Sequence, residues 1–353
     1  MEPSHIPEPQ ISHGEGYPWY HALYLHVGAG LLRNLVWSIS GSGKEFDKYI
    51  TIETPGLGTG RVRCAVCLPR STENHQQVNA NPKFPLTLVI EGGGFVLGQP
   101  EDGEHNDRLI SDKTQSIVIS VDYAKAPRHP FPHALLQLYE VLRWALSADS
   151  TMEAIGATID PSRVAIMGNS AGGNLTAALS LLLSFASGPC ARFRKSLPPS
   201  FRQRLQILLY PSVECHELYR TRFQRCTPAV QAKSLPVAVA ELMEASYLPP
   251  HVNKEQIFVA PLLADVALLK QLQEQIPKAL VFTAGLDCLK DEAETYVQRL
   301  QDAGVYVRSK QYPEAIHGFS HYREGSKEFR KEDVEDCWTI ICEELLGAFG
   351  FKS

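Results

Sequence analysis

Five residues, Gly168-Asn169-Ser170-Ala171-Gly172, limit what this 353-residue chain can fold into more than any other feature. The apolar run Val164 to Met167 leads into them, and a helix-forming run, Asn174 to Leu183, follows. A serine held between glycines at a strand-to-helix junction requires a sharp turn with close backbone approach, which glycine tolerates. Such a turn projects the hydroxyl from the sheet edge, and the N-terminus of the following helix directs positive potential at it. The bare pattern G-x-S-x-G recurs by chance; the strand before it and the helix after it give it weight here.

Short apolar runs and longer helical patterns alternate along the rest of the chain. Strands are expected at Tyr49 to Thr54, Arg61 to Leu68, Leu86 to Ile90, Ser116 to Val121, Val164 to Met167, Leu205 to Tyr210, Ala279 to Thr283 and Val305 to Gln311. Helices are expected at about Asp107 to Lys113, Ala134 to Leu146, Ala171 to Phe185, Val237 to Ala245, Asp291 to Ala303 and Lys331 to Phe349. This alternation predicts an α/β fold, a mostly parallel eight-stranded sheet flanked by helices. The stretch from Ser212 to about Val259 leaves the C-terminal end of a strand, the edge where ligands bind in such sheets. With Tyr219, Phe223, Met243 and Tyr247 it is expected to form, with the N-terminal helix, a helical cap over a pocket. The chain divides accordingly into an N-terminal cap segment (1–45), the first part of a catalytic core (46–211), a cap insertion (212–260) and the second part of the core (261–353).

Near the N-terminus, Tyr20, Tyr24, Val27, Leu31, Leu35 and Ile39 recur at steps of three or four, which predicts an amphipathic helix packed on the protein. His21, His26, Arg33 and Asn34 argue against a bilayer span, leaving an interfacial position as the alternative. Met1 to Gly16 is polar and lacks the apolar run of a secretory signal. The formal net charge of −5 gives no electrostatic basis for nucleic acid or an anionic membrane as partner. Eight cysteines scattered over a long chain read as reduced thiols of a cytoplasmic protein. Cys64 and Cys67 lack the second pair, or the histidines, of a zinc site, and no metal is expected. The polar stretch Ser71 to Asn81 and the basic run Arg192, Arg194, Lys195, Arg202 and Arg204 read as solvated surface.

Serine is a poor nucleophile until a base takes its proton, and after a nucleophile turn of this kind the acid and the histidine follow in chain order. Beyond Ser170 lie His216, His251, His317 and His321. His317, in Ala315-Ile316-His317-Gly318-Phe319, follows a strand and falls on the catalytic edge; His321 reads as a surface residue. Asp287, just past the strand Ala279 to Thr283, is the expected acid, whereas Asp291 reads as a helix N-terminal residue that offsets the macrodipole. An unperturbed His317 as base implies loss of activity below about pH 6.5. Glu91-Gly92-Gly93-Gly94-Phe95, directly after the strand Leu86 to Ile90, lets backbone N–H groups converge on one point, as an oxyanion hole requires.

These motifs, together with Asp122-Tyr123, Ala126-Pro127, Pro130-Phe131-Pro132, Leu209-Tyr210-Pro211 and Leu289 with Asp291, resemble the hormone-sensitive-lipase family of α/β-hydrolases, particularly its fungal members. The resemblance spans about Leu86 to His317. It implies the α/β-hydrolase fold, a catalytic triad of Ser170, Asp287 and His317, and an oxyanion hole built from the N–H groups of Gly93, Gly94 and Ala171. It implies no cofactor, and a homodimer is implied by the resemblance alone. The expected activity is cleavage of a small or medium-sized carboxylic ester through an acyl-enzyme. The alternative is acyl transfer, lactonisation or C–C bond chemistry in secondary metabolism. Two positions depart from the family pattern. Glu91 stands where a histidine is usual, and its carboxylate would repel an oxyanion unless it points away, pairs with a cation or is protonated. Ala124-Lys125 and Arg128 replace the usual arginine, leucine and acid, so the charge network around them must differ.

Overall fold

The computed structural model describes residues 1–37, 41–70 and 83–351. The expected loop 71–81 and Ile39 of the N-terminal pattern lie outside the described residues. Every expected strand is present: β1 (Lys48–Glu53), β2 (Arg61–Cys67), β3 (Lys83–Ile90), β4 (Ile117–Asp122), β5 (Thr158–Asn169), β6 (Gln203–Leu209), β7 (Lys278–Leu286) and β8 (Val307–Ile316). They form one eight-stranded sheet in the order β1-β2-β4-β3-β5-β6-β7-β8. β2 pairs antiparallel with both β1 and β4, and all other pairs are parallel.

The central strands are apolar at nearly every position because both faces of the sheet are covered. Leu88, Ile166, Leu208 and Val281 turn to one side and join Leu138, Leu142, Leu175, Leu179, Tyr296 and Leu300 in one core. Those partners come from the helices α3 (His133–Ala145), α5 (Ala171–Leu182) and α11 (Lys290–Asp302). The alternate residues Val89, Met167, Ile207 and Leu280 turn to the other side, against Ile110 of α2 (Glu104–Thr114) and Trp338, Ile341 and Leu345 of α12 (Lys331–Ala348). Period-two alternation thus serves two cores.

The remaining helices are α1 (Trp19–Trp37), α4 (Ala148–Ile155), α6 (Ala191–Lys195), α7 (Tyr219–Arg225), α8 (Pro228–Gln231), α9 (Val237–Tyr247) and α10 (Val266–Leu272). Five of the short ones, α4, α6, α7, α8 and α10, have no individually expected counterpart, because four to eight residues give too few turns for periodicity to register. Three of these carry local start signals: Ser147 caps α4 by accepting from Ser150 N–H, Thr227 caps α8 by accepting from Val230 N–H, and Asp265 caps α10 by accepting from Leu268 N–H at 2.7 Å. The basic run is largely solvent-facing as expected, with α6 in its middle and Arg192 paired to Glu8 at 2.7 Å.

α1 packs on the protein by the face opposite to the expected one. Leu25 and Ala29 are buried, and Gly28 lies so close to Leu242 of α9 that a Cβ there would overlap its side chain. Arg33 turns inward and donates to the carbonyls of Val96 at 2.9 Å and Ala126 at 2.5 Å. Tyr20, Tyr24, Val27, Leu31 and Leu35, read from periodicity as the packing stripe, face outward at 52–67% exposure. A helix that is apolar on most sides gives periodicity no means of choosing its buried face, and the small residues Gly28 and Ala29 decide it by permitting close approach.

Candidate active site

β5 ends at Asn169 and α5 begins at Ala171, so Ser170 alone makes the turn. Its φ of 53° and ψ of −118° are strained for a residue with a side chain. The surroundings hold it there: Ser170 N–H donates to Leu209 O at 2.8 Å, and Ser170 O accepts from Asn174 N–H at 3.0 Å and Ser212 N–H at 3.2 Å. A Cβ on Gly172 would overlap the carbonyl oxygen of Ile90, and one on Gly173 would come within 2.8 Å of Pro211 Cβ. The glycines therefore let α5 start hard against the end of β3.

The structure brings Ser170, His317 and Asp287 into one hydrogen-bonded line. His317 Nε2 lies 2.8 Å from Ser170 Oγ, and His317 Nδ1 lies 2.7 Å from Asp287 Oδ2. Asp287 is buried, and its second oxygen accepts from Leu289 N–H at 3.0 Å. Burial pushes the His317 imidazole down, but the charge and hydrogen bond of Asp287 outweigh that, and the net shift is upward from its ordinary value. Asp291, four residues on, is 83% exposed beside Lys290 and takes no part. His251 packs beside Gly14, away from the serine.

Gly93 and Gly94 follow β3 with φ of 105° and 59°, and with Ser170 they line a groove at the sheet edge. Ala171 is the first residue of α5, where an N–H has no intrahelical acceptor. Glu91 borders the same groove. Its buried carboxylate accepts from Asn169 Nδ2 at 3.0 Å and lies 3.4 Å from His321 Nε2. His321, expected at the surface, is instead half-buried behind the glycine loop, with Tyr210 Oη 2.9 Å and Ser320 Oγ 3.0 Å from its Nδ1. The second departure is also met locally. Lys125 Nζ pairs with Asp122 at 3.2 Å, Asp122 pairs with Arg63, and Arg63 binds Glu101 at 2.6 Å.

On the other side of Ser170, Phe95, Met243, Tyr247, Leu248 and Leu289 wall an apolar cavity that also borders Asp287 and His317. At its edge sits a charge cluster that nothing in the linear sequence announces. Arg222 of α7, 5% exposed, binds Glu292 of α11 at 2.6 Å and Glu244 of α9 at 2.7 Å. Glu292 also accepts from the N–H groups of Val213 at 2.8 Å and Glu214 at 3.1 Å. The cluster joins the insertion to the helix that starts just after Asp287. Among the described residues no group of His, Cys, Asp and Glu has the arrangement of a metal site.

A family profile described as the α/β-hydrolase fold matches residues 87–321. The chain belongs to the α/β-hydrolase family. It is 30% identical over 240 residues to the carboxylesterase NlhH of Mycobacterium tuberculosis, covering 68% of this chain and 67% of that protein. It is 30% identical over 234 residues to an arylesterase of Saccharolobus solfataricus, covering 66% of this chain and 68% of that one. A thermostable esterase from Pseudomonas putida shares the fold of this α/β-hydrolase with a TM-score of 0.72 at 23% identity, over 97% of this chain and all of the other.

Proposed function

We propose that this α/β-hydrolase cleaves small or medium-sized carboxylic esters through an acyl-enzyme on Ser170. His317 takes the Ser170 proton through Nε2 as Oγ attacks the ester carbonyl, and Asp287 holds the imidazole and stabilises its charged form. The N–H groups of Gly93, Gly94 and Ala171 receive the oxyanion. His317 then protonates the departing alcohol, and water repeats the sequence to release the acid. The observation that carries this reading is the unbroken line from Asp287 through His317 to a serine on a strained turn, at 2.7 and 2.8 Å. The esterases and carboxylesterase among its relatives support the same reaction. Turnover of p-nitrophenyl esters of graded acyl length tests it. Wild type is expected to hydrolyse them and Ser170→Ala to lose at least about a thousand-fold; equal rates would overturn the reading.

The apolar cavity suits an uncharged acyl or alcohol group. The helices α1 and α7 to α9 serve in this reading as the cap, since α9 both supplies Met243 and Tyr247 to the cavity and packs on Gly28. The alternative of acyl transfer, lactonisation or C–C bond chemistry drew on Glu91, whose carboxylate is engaged by Asn169, so hydrolysis is preferred. All eight cysteines are unpaired thiols, which supports a reducing compartment, and we assign the enzyme to the cytoplasm. A fungal kinship rests on the motifs of the sequence.

We also infer a homodimer formed through the outer face of α1. Trp19, Tyr20, Leu23, Tyr24, Val27 and Leu31 are each more than half exposed. Together they offer an apolar face on the order of the ~800 Å² per partner of a standard interface, more than a monomer usually leaves open. A second copy suits it better than a lipid surface. Residues 1–43 contain a single Lys or Arg, the inward-turned Arg33, against three acids, Glu2, Glu8 and Glu15, whereas helices that lie on membranes are rich in basic residues.

A further inference from the structure

We infer that Glu91 is a positioning residue for the reaction proposed above: acting through Asn169, it fixes the glycine loop whose N–H groups receive the oxyanion. The inference rests on that catalytic reading and adds to it the part that holds the hole in place.

Asn169 stands at the centre. Its Oδ1 accepts the N–H of Gly92, the first glycine of the loop, and its Nδ2 donates to Glu91 Oε2 at 3.0 Å. A backbone N–H can only donate and a carboxylate can only accept, so these two neighbours set which way round the amide lies. The second Nδ2 proton faces His321 Nε2 at 3.1 Å. His321 Nδ1 lies 2.9 Å from Tyr210 Oη and 3.0 Å from Ser320 Oγ, and in the tautomer that carries its proton on Nδ1 toward these oxygens Nε2 is an acceptor. Ser320 is fixed in turn, its carbonyl accepting from Trp338 Nε1 at 2.9 Å. In that tautomer both amide protons of Asn169 are taken, and Oδ1 remains for the loop.

Glu91 is itself confined. Its backbone carbonyl accepts from Tyr123 Oη at 3.0 Å, and a Cβ on Gly103 would overlap its Oε1. Asp107, buried nearby, is held well above the usual carboxylate range, by burial first and by the neighbouring Glu91 second. Because Asn169 immediately precedes Ser170, one side chain ties the oxyanion donors to the nucleophile turn. Without the Glu91 carboxylate, one amide proton of Asn169 loses its acceptor. The amide is then free to rotate and present Nδ2 to the Gly92 N–H, donor against donor.

The test compares Glu91→Ala, Asn169→Asp and the double variant Glu91→Gln with Asn169→Asp. Each is assayed for kcat and KM on a p-nitrophenyl ester and for binding of an aryl trifluoromethyl ketone, whose adduct with the serine bears an oxyanion. Losing one oxyanion donor outright costs about a hundred- to a thousand-fold, so Glu91→Ala, which loosens the loop, is expected to lower kcat by about ten- to a hundred-fold. KM should stay within about three-fold, with ketone affinity falling by the same factor as kcat. Asn169→Asp sets carboxylate against carboxylate and should behave likewise. In the double variant the amide and the carboxylate exchange places: the amide now at position 91 donates to the carboxylate now at position 169, which still accepts from Gly92. At least about ten-fold of the loss should then return. A purely structural role predicts no such rescue. Equal impairment of Asn169→Asp and the double variant, or unchanged ketone affinity in Glu91→Ala, would overturn the inference while wild type and Ser170→Ala behave as a serine esterase and its dead variant. Turnover that survives Ser170→Ala would instead sink the catalytic reading.

Discussion

Asp287 holds His317 by one carboxylate oxygen at 2.7 Å while its other oxygen accepts the N–H of Leu289 at 3.0 Å, so both oxygens of the acid are engaged. This changes the pH dependence expected from the sequence. Burial favours neutral imidazole, but the Asp287 charge and hydrogen bond outweigh it, raising His317 above its ordinary value of about 6.5. The proposed reaction needs the neutral form, so the acid limb of kcat/KM is expected to inflect above about pH 6.5 rather than at it. Asp287→Asn removes the raising charge; its limb should move down and its kcat fall by about a thousand- to ten-thousand-fold. An inflection below about pH 6 in wild type, read from a pH–rate profile, contradicts this assignment.

Arg222 compensates two carboxylates, Glu244 and Glu292, in a setting where it is 5% exposed. Removing the cation leaves both acids in a low-dielectric site without a counter-charge. Arg222→Ala is expected to lower stability by about 3–5 kcal/mol in urea denaturation. A loss below about 1 kcal/mol would show that water reaches the cluster.

Gly172 faces the carbonyl of Ile90, the last residue of β3 before the glycine loop. Alanine there has no flexible neighbour to displace, so β3 or α5 must move. Gly172→Ala is expected to cost about 1–3 kcal/mol in unfolding and to reduce kcat with little change in KM. Full activity in a variant with an unchanged melting curve would refute the close contact.

The outer face of α1 makes a prediction that light scattering can read. Wild type should run as a dimer, and Leu23→Glu with Leu31→Glu should run as a monomer that remains folded. Should wild type be monomeric and bind neutral lipid vesicles instead, the partner is a lipid surface.

The eight strands were legible because each is an apolar run buried on both sides, a pattern that survives without tertiary knowledge. Ser170, Asp287 and His317 were legible because each sits just past such a run. What stayed hidden depends on contacts between distant segments. Arg222 lies 22 residues from Glu244 and 70 from Glu292, and no local pattern pairs them. His321 looked like an exposed polar residue because its partners, Asn169, Tyr210 and Glu91, come from other strand ends. The hydrogen bond of Glu91 is made to Asn169, a residue inside the most conspicuous motif to which the sequence assigns no role of its own. The face of α1 was misjudged because apolar residues lie on both sides of it, and small ones won the contact.

Activation of Ser170 by His317 is the step on which the mechanism rests. Intact-mass measurement after exposure to a fluorophosphonate, with peptide mapping of the adduct, tests this directly. The expected result is one adduct per chain, on Ser170, absent in Ser170→Ala and formed at least about a thousand times more slowly in His317→Ala. An adduct on another residue, or labelling of His317→Ala at the wild-type rate, would contradict it.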